Sequence, residues 1–290
     1  MYIFPEHLTL LDKFLRQDAH SQINNSPGTA DALVTVGMWL HRNNLIASDP
    51  SSPLTNPTKT SPEDPTSDYM RYIHLTTLVA LYHPQLQARN AASTLAALVL
   101  HADPSDEDRL RILYDLLENC TFAVLKARAV AWLREAIIAA SQHHKEKNAF
   151  AGPYALETLQ YVVFPSLDEV LLEDLDEAME FLAANAPFLL QAVNFALFLW
   201  GSEPGLPSAV SEAGAQEQGQ DNKWAHVLPD NMHATVRERW FEPLKKILAK
   251  IEQEVVLSED ELGPFGGDIV VLGERLARLE GTEWFKAEGS

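Results

Sequence analysis

Apolar side chains recur every three or four residues in segment after segment of this chain, and that spacing restricts it to helices packed on helices. Leu8, Leu11 and Leu15 share one face of a first helix; Ala32, Val36, Trp39 and Leu40 share one face of a second. The centre repeats the pattern four times. Tyr69, Tyr72, Ile73, Thr76 and Val79 form one stripe, ended at His83-Pro84 because proline cannot continue a helix. Ala88, Ala91, Ala92, Leu95, Leu98 and Val99 form the next, whose alanines allow close helix approach. Ser105, with Glu107 and Asp108 behind it, supplies the hydroxyl cap and negative first turn that start a third helix, carrying Leu110, Leu113, Leu116 and Leu117. Asn119-Cys120-Thr121 turns into a fourth, with Phe122, Leu125, Ala129, Trp132, Leu133 and Ile137. The two turns lie about 36 residues apart, the spacing of a helical solenoid, although an up-and-down bundle gives similar intervals. The fold expected is all-α, a solenoid of antiparallel helix pairs.

The flanking segments divide by composition. Residues 1–47 hold N-terminal helices, 48–67 form a loop with Pro50, Pro53, Pro57, Pro62 and Pro65, and 68–200 form the central helical region. Residues 201–228 read as an acidic flexible linker, and 229–290 as C-terminal helices. Ala186 to Trp200 is the most apolar stretch; interrupted by Pro187, Gln191 and Asn194, it falls short of the roughly 20 residues of a membrane span and is expected to be a core helix. Tyr161–Phe164 and Ile269–Val271 are the only β-like runs, and Leu272, Leu276 and Leu279 turn the second back into helix. From Asp230 to Glu254 a helix is expected to kink or split at Pro243, with Trp240 on its core side and Arg237, Arg239, Lys245, Lys246 and Lys250 outside.

Charge narrows the partners. Forty-one acidic residues against 22 Lys and Arg give −19, which repels nucleic-acid phosphates and anionic lipid, so neither nucleic acid nor membrane is expected as a direct partner. No Lys, Arg or His occurs between Asn148 and Asn222. An acidic helix expected from Ser166 makes Glu173, Asp174, Glu177 and Glu180 a candidate docking face for a basic partner. The plainer reading is a solvated face, or one neutralised by Arg237, Arg239, Lys245 and Lys246. Cys120 is the only cysteine, which excludes an internal disulfide and points to the cytoplasm or the nucleus. Met1 to Glu6 lacks the charged and apolar regions of a secretory signal.

Signals for chemistry are sparse. There is no Gly-Lys-Ser/Thr phosphate loop and no G-x-G-x-x-G fingerprint, and Gly263 to Asp268 reads as a loop ending in an Asp268 helix cap. Adjacent His143 and His144 point about 100° apart on a helix and are poorly placed to share a metal. Cys120 has a helix start, Lys126 and Arg128 nearby in sequence, a setting that lowers a thiol pKa, and is a candidate redox thiol; a small packing residue is the plainer reading. No residue is assigned a catalytic, cofactor-binding or metal-binding role.

One stretch resembles a known family. Arg71-Tyr72-Ile73, Arg89, the turn Leu116-Leu117-Glu118-Asn119-Cys120-Thr121-Phe122, Leu125-Lys126 and Ala129 to Glu135 are similar to the family that joins fungal YAP-binding proteins, plant aberrant-root-formation protein and animal glomulin. Many members have proline where this chain has Thr121, and members are usually longer. The resemblance implies a HEAT-like helical-repeat fold without enzymatic activity. It also implies protein partners: a bZIP stress transcription factor with its peroxidase sensor, kinetochore proteins, or, in the glomulin branch, the RING subunit of a cullin ligase. The function expected is that of a non-enzymatic adaptor, the fungal stress-response branch being favoured. The rival from another class is a helical enzyme whose site assembles from distant residues.

Overall fold

The computed structural model describes residues 1–47, 67–143, 148–167, 174–201, 223–254 and 266–282. The expected loop at 48–67, Ser67 apart, and nearly all of the linker from 201 to 222 lie outside these residues, as do Glu173 and His144. Among the described residues the protein is all α, and its helices alone hold more than half of the 290 residues. The one β pairing among the described residues is a single parallel bridge between Phe4 and Ala47. The chain separates into two compact units, Met1–Ile112 and Leu113–Ser290, so the boundary falls inside a helix and within the central region that composition had grouped as one.

In the first unit, α1 (Glu6–Leu15), α2 (Ala19–Asn25), α3 (Pro27–Arg42), α4 (Asp68–Tyr82) and α5 (Leu86–Ala102) precede the start of α6 (Asp106–Asn119). Their ends have local causes. Asp18 Oδ1 accepts from Ser21 N at 3.1 Å, Ser67 Oγ from Met70 N at 3.1 Å and Ser105 Oγ from Asp108 N at 3.1 Å, each satisfying a donor the helix cannot. The α4 stripe of Tyr69, Tyr72, Ile73, Thr76 and Val79 is buried as its spacing predicts, and α4 packs on α5 across the His83-Pro84 turn. The stripe on α3 is corrected. Its core face is Ala30, Val34, Gly37 and Leu40, while Ala32 is exposed and Trp39 stands 57% exposed. Small residues decide this face: a Cβ on Gly37 would lie 2.6 Å from Leu95 Cδ2 and 2.8 Å from Tyr72 Oη. A bulky ring cannot enter so narrow a gap.

In the second unit the chain runs through α7 (Ala123–His143), α8 (Tyr154–Val163), α9 (Leu175–Trp200), α10 (Met232–Val236), α11 (Glu242–Glu254) and α12 (Gly266–Glu280). Leu125, Ala129, Trp132, Leu133 and Ile137 of α7 are buried, but Phe122, expected on that stripe, precedes the helix and is exposed. Tyr161–Val163 are helical, so that β-like run is not a strand. α9 packs against α7 and α12, and Phe164, Phe195, Trp200 and Trp240 meet ring to ring in the interior, with centroids 5.0–6.3 Å apart.

Four assignments differ from those the sequence suggests. The helix containing Ala186–Trp200 begins at Leu175 and spans 26 residues, so its length no longer separates it from a membrane span; it is long and apolar enough by composition. Its role as a core helix rests on packing: Phe188, Leu189, Val193, Phe195, Leu199 and Trp200 are buried against the protein. The acidic helix does not start at Ser166, because Ser166 and Leu167 are not helical. Asp268 lies inside the first turn of α12, where its charge suits the helix dipole, and is not the cap. Trp224 and Val227, assigned to the linker, are buried beside a short 3-10 turn at Ala225–Val227.

Candidate interaction surface

The carboxylates singled out in the sequence gather at the start of α9, where helix physics accounts for most of them. Asp174 is the cap: its Oδ1 accepts from Asp176 N at 2.9 Å and Glu177 N at 3.1 Å. Asp176 and Glu177 occupy the first turn, where negative charge interacts favourably with the helix dipole and offsets their mutual repulsion. Glu177 and Glu180 are exposed, and Glu173 is outside the described residues. On the basic helix, Arg237 Nε donates to Glu242 Oε1 at 3.1 Å and Lys245 pairs with Glu280.

Cys120 is half-buried at the turn before α7, and its Sγ accepts from Phe122 N at 3.4 Å. The thiol thus helps shape the turn. Lys126, expected near it, stands with its ammonium 5.8 Å from the centroid of the Phe188 ring. Most of the stretch that carries the family resemblance is interior: Tyr72, Ile73, Leu116, Leu117, Leu125, Ala129, Val130, Trp132 and Leu133 are buried. Those residues hold the fold and offer little to a partner.

A surface the sequence did not reveal begins with Pro243. Proline has no N–H, so the carbonyl four residues earlier, Arg239 O, loses its helical donor. That carbonyl accepts from Leu167 N at 3.1 Å instead. The helix irregularity therefore lies ahead of Pro243, as a π-helical stretch over Arg237–Phe241. A π turn is wider than an α turn and is often found at functional sites; here consecutive Trp240 and Phe241 are both fully buried. The bond to Leu167 ties the segment after α8 to this stretch, and Arg239 lies with its guanidinium 4.7 Å from the centroid of the Tyr161 ring.

Tyr161 belongs to the outward face of α8. Ala155, Leu156, Leu159, Val162 and Val163 face inward, while Tyr154, Glu157, Thr158 and Tyr161 form an exposed stripe at helical spacing. The two tyrosines are 55% and 50% exposed, two turns apart. Arg239 is half-buried; its Nε is buried without a hydrogen-bond partner, and it forms no ion pair among the described residues. Exposed tyrosines beside an arginine are the residue types that dominate binding energy at protein interfaces. The only sequence signal was the pairing of Tyr154 with Tyr161 at seven-residue spacing, opposite an apolar stripe.

Residues 1–271 match the model of a family described as "Uncharacterised protein family, YAP/Alf4/glomulin". No curated protein and no solved structure matches the chain.

Proposed function

Because this chain belongs to the YAP/Alf4/glomulin family, we propose that it is a non-enzymatic helical scaffold that holds other proteins. The observation that carries this reading is the family match, which spans residues 1–271 and so covers the first compact unit and most of the second. The outward face of α8 supports it, because solvated tyrosines next to an arginine gain most from being covered by another protein. The partner class follows from the sequence resemblance to the fungal YAP-binding branch: a bZIP oxidative-stress transcription factor with its peroxidase sensor, or kinetochore proteins. Such partners place the chain in the cytoplasm and nucleus. The test is affinity purification of the full chain from its native cells, followed by reconstitution of the complex from purified components. A complex of fixed stoichiometry that re-forms from the pure proteins is expected. A chain that elutes alone and turns over a small molecule contradicts the reading.

A further inference from the structure

The second unit holds a cation whose charge nothing described in the chain answers. Acidic residues outnumber Lys and Arg 41 to 22, so an arginine here has many carboxylates available. Arg239 nonetheless stacks on an exposed tyrosine, keeps Nε out of water without a partner, and pairs with no carboxylate among the described residues. Its neighbours Arg237 and Lys245 do pair with carboxylates, and Arg134, the other arginine of this unit with an unpartnered buried Nε, lies over the Phe198 ring, whereas Arg239 lies over a tyrosine that is half exposed. A guanidinium removed partly from water without an anion bears a desolvation cost, and a carboxylate docked on its free edge relieves it through two parallel hydrogen bonds. Stacking on Tyr161 fixes the plane of the group and leaves less to order on binding.

We propose that the face formed by Tyr154, Tyr161 and Arg239 docks a short peptide segment of a partner protein that carries an isolated carboxylate beside apolar side chains. The carboxylate meets Arg239, and the apolar side chains lie across the tyrosine rings. Charge selects the occupant. A chain at −19 repels an acidic run or a nucleic-acid strand at long range, whereas one carboxylate set among apolar groups suffers little of that repulsion. Exposed Glu157, on the same stripe, further disfavours a second acidic group and accommodates a basic one. The proposal rests on the scaffold reading and adds the place and the chemistry of one contact.

The test uses the full chain and fluorescein-labelled synthetic peptides of a dozen or so residues, each with one Asp or Glu flanked by Leu and Phe, beside Asn and Gln isosteres, read by anisotropy. Acidic peptides are expected to bind about tenfold more tightly than their isosteres. Arg239→Gln should abolish that preference and Arg239→Lys should restore part of it, with circular dichroism confirming that each variant is folded. Tyr154→Ala should weaken both peptide sets alike. The proposal is overturned if no peptide binds at millimolar concentration, if the acidic preference survives Arg239→Gln, or if an oligonucleotide competes through Arg239. A separate arm distinguishes its failure from that of the scaffold reading. If a reconstituted natural partner is held equally by wild type and Arg239→Gln, this surface is wrong and the scaffold stands; if no protein partner reconstitutes, the scaffold reading itself fails.

Discussion

The unit from Met1 to Ile112 threads polar groups through its interior, whereas the unit from Leu113 to Ser290 fills its interior with rings and aliphatic side chains. Every buried polar or charged residue among those described, His7, Thr76, Thr77, His83, Ser93 and Asp103, belongs to the first unit. The two histidines are partnered in ways that fix geometry. His7 Nε2 lies 2.9 Å from Leu33 O, and a carbonyl only accepts, so Nε2 carries the proton and Nδ1 accepts from Tyr72 Oη at 2.9 Å. His83 is held the same way, its Nδ1 accepting from Gln85 N at 3.1 Å. The second unit instead has half-buried cations over rings, with Arg134 5.0 Å from the Phe198 centroid and Arg239 over Tyr161. The first unit is thus built to hold one arrangement and to respond to pH, while the second resists through packing and presents cations and tyrosines at its surface.

The sharpest test of this contrast empties the aromatic interior. Trp132 is 3% exposed and Trp240 is fully buried, so Trp132→Ala and Trp240→Ala should each destabilise by about 3–5 kcal/mol in urea unfolding. Full stability in either would mean that the second unit is not held by its rings. In the first unit the matching perturbation is overfilling. Gly37→Ala should cost about 1–3 kcal/mol, because the added methyl meets Leu95, Tyr72 and His7 and this outweighs the better helix propensity of alanine. Tyr72→Phe should cost a similar amount, about 1–3 kcal/mol, by leaving His7 Nδ1 buried without a donor.

Titration separates the units further. Burial holds the His7 pKa below its ordinary value of 6.5, opposed by its bond to the Leu33 carbonyl. The unfolded chain therefore binds that proton more readily, and the contribution present above 6.5 is lost as pH falls through 6.5 towards the native value. Asp103 runs the other way. Burial, with neighbouring Asp108 adding to it against the hydrogen bond from Ser105 N, raises its carboxyl to about 7. Native Asp103 keeps its proton more readily than the unfolded chain, so its contribution is complete below 3.8 and is lost as pH rises to about 7. The two slopes oppose each other just below pH 6.5, where His7 begins to lose its contribution and Asp103 has not yet lost all of its own. In that window Asp103→Asn should leave stability that rises with pH, and His7→Gln stability that falls with pH, in urea melts. Equal, flat profiles for both variants would contradict the polar interior. Cys120→Ser should be the smallest effect, within about 0.5 kcal/mol, because the half-buried thiol accepts from Phe122 N and donates to Phe122 O within the turn, and a hydroxyl replaces both bonds.

Much of the fold was legible because helical periodicity reports burial directly: the α4, α6 and α7 stripes lie inside almost residue for residue, Phe122 apart. Periodicity failed on α3, where two apolar stripes compete and the smaller residues, not the larger, face the interior. The start of α9 was legible as an acidic cluster but not as a cap and first turn, because the helix boundary was placed too early. The α8 face escaped notice because it depends on a bond from Leu167 to a carbonyl that Pro243 releases, a long-range consequence that local patterns do not encode.

We propose that this helical chain holds a protein and that the second unit's tyrosine face takes part. Calorimetric titration of the reconstituted natural partner into wild type and into the Tyr154→Ala, Tyr161→Ala double variant tests it most directly. The double variant is expected to stay folded and to bind at least about tenfold more weakly, since truncating interface tyrosines commonly costs more than 1 kcal/mol each. A folded double variant with unchanged affinity would contradict it.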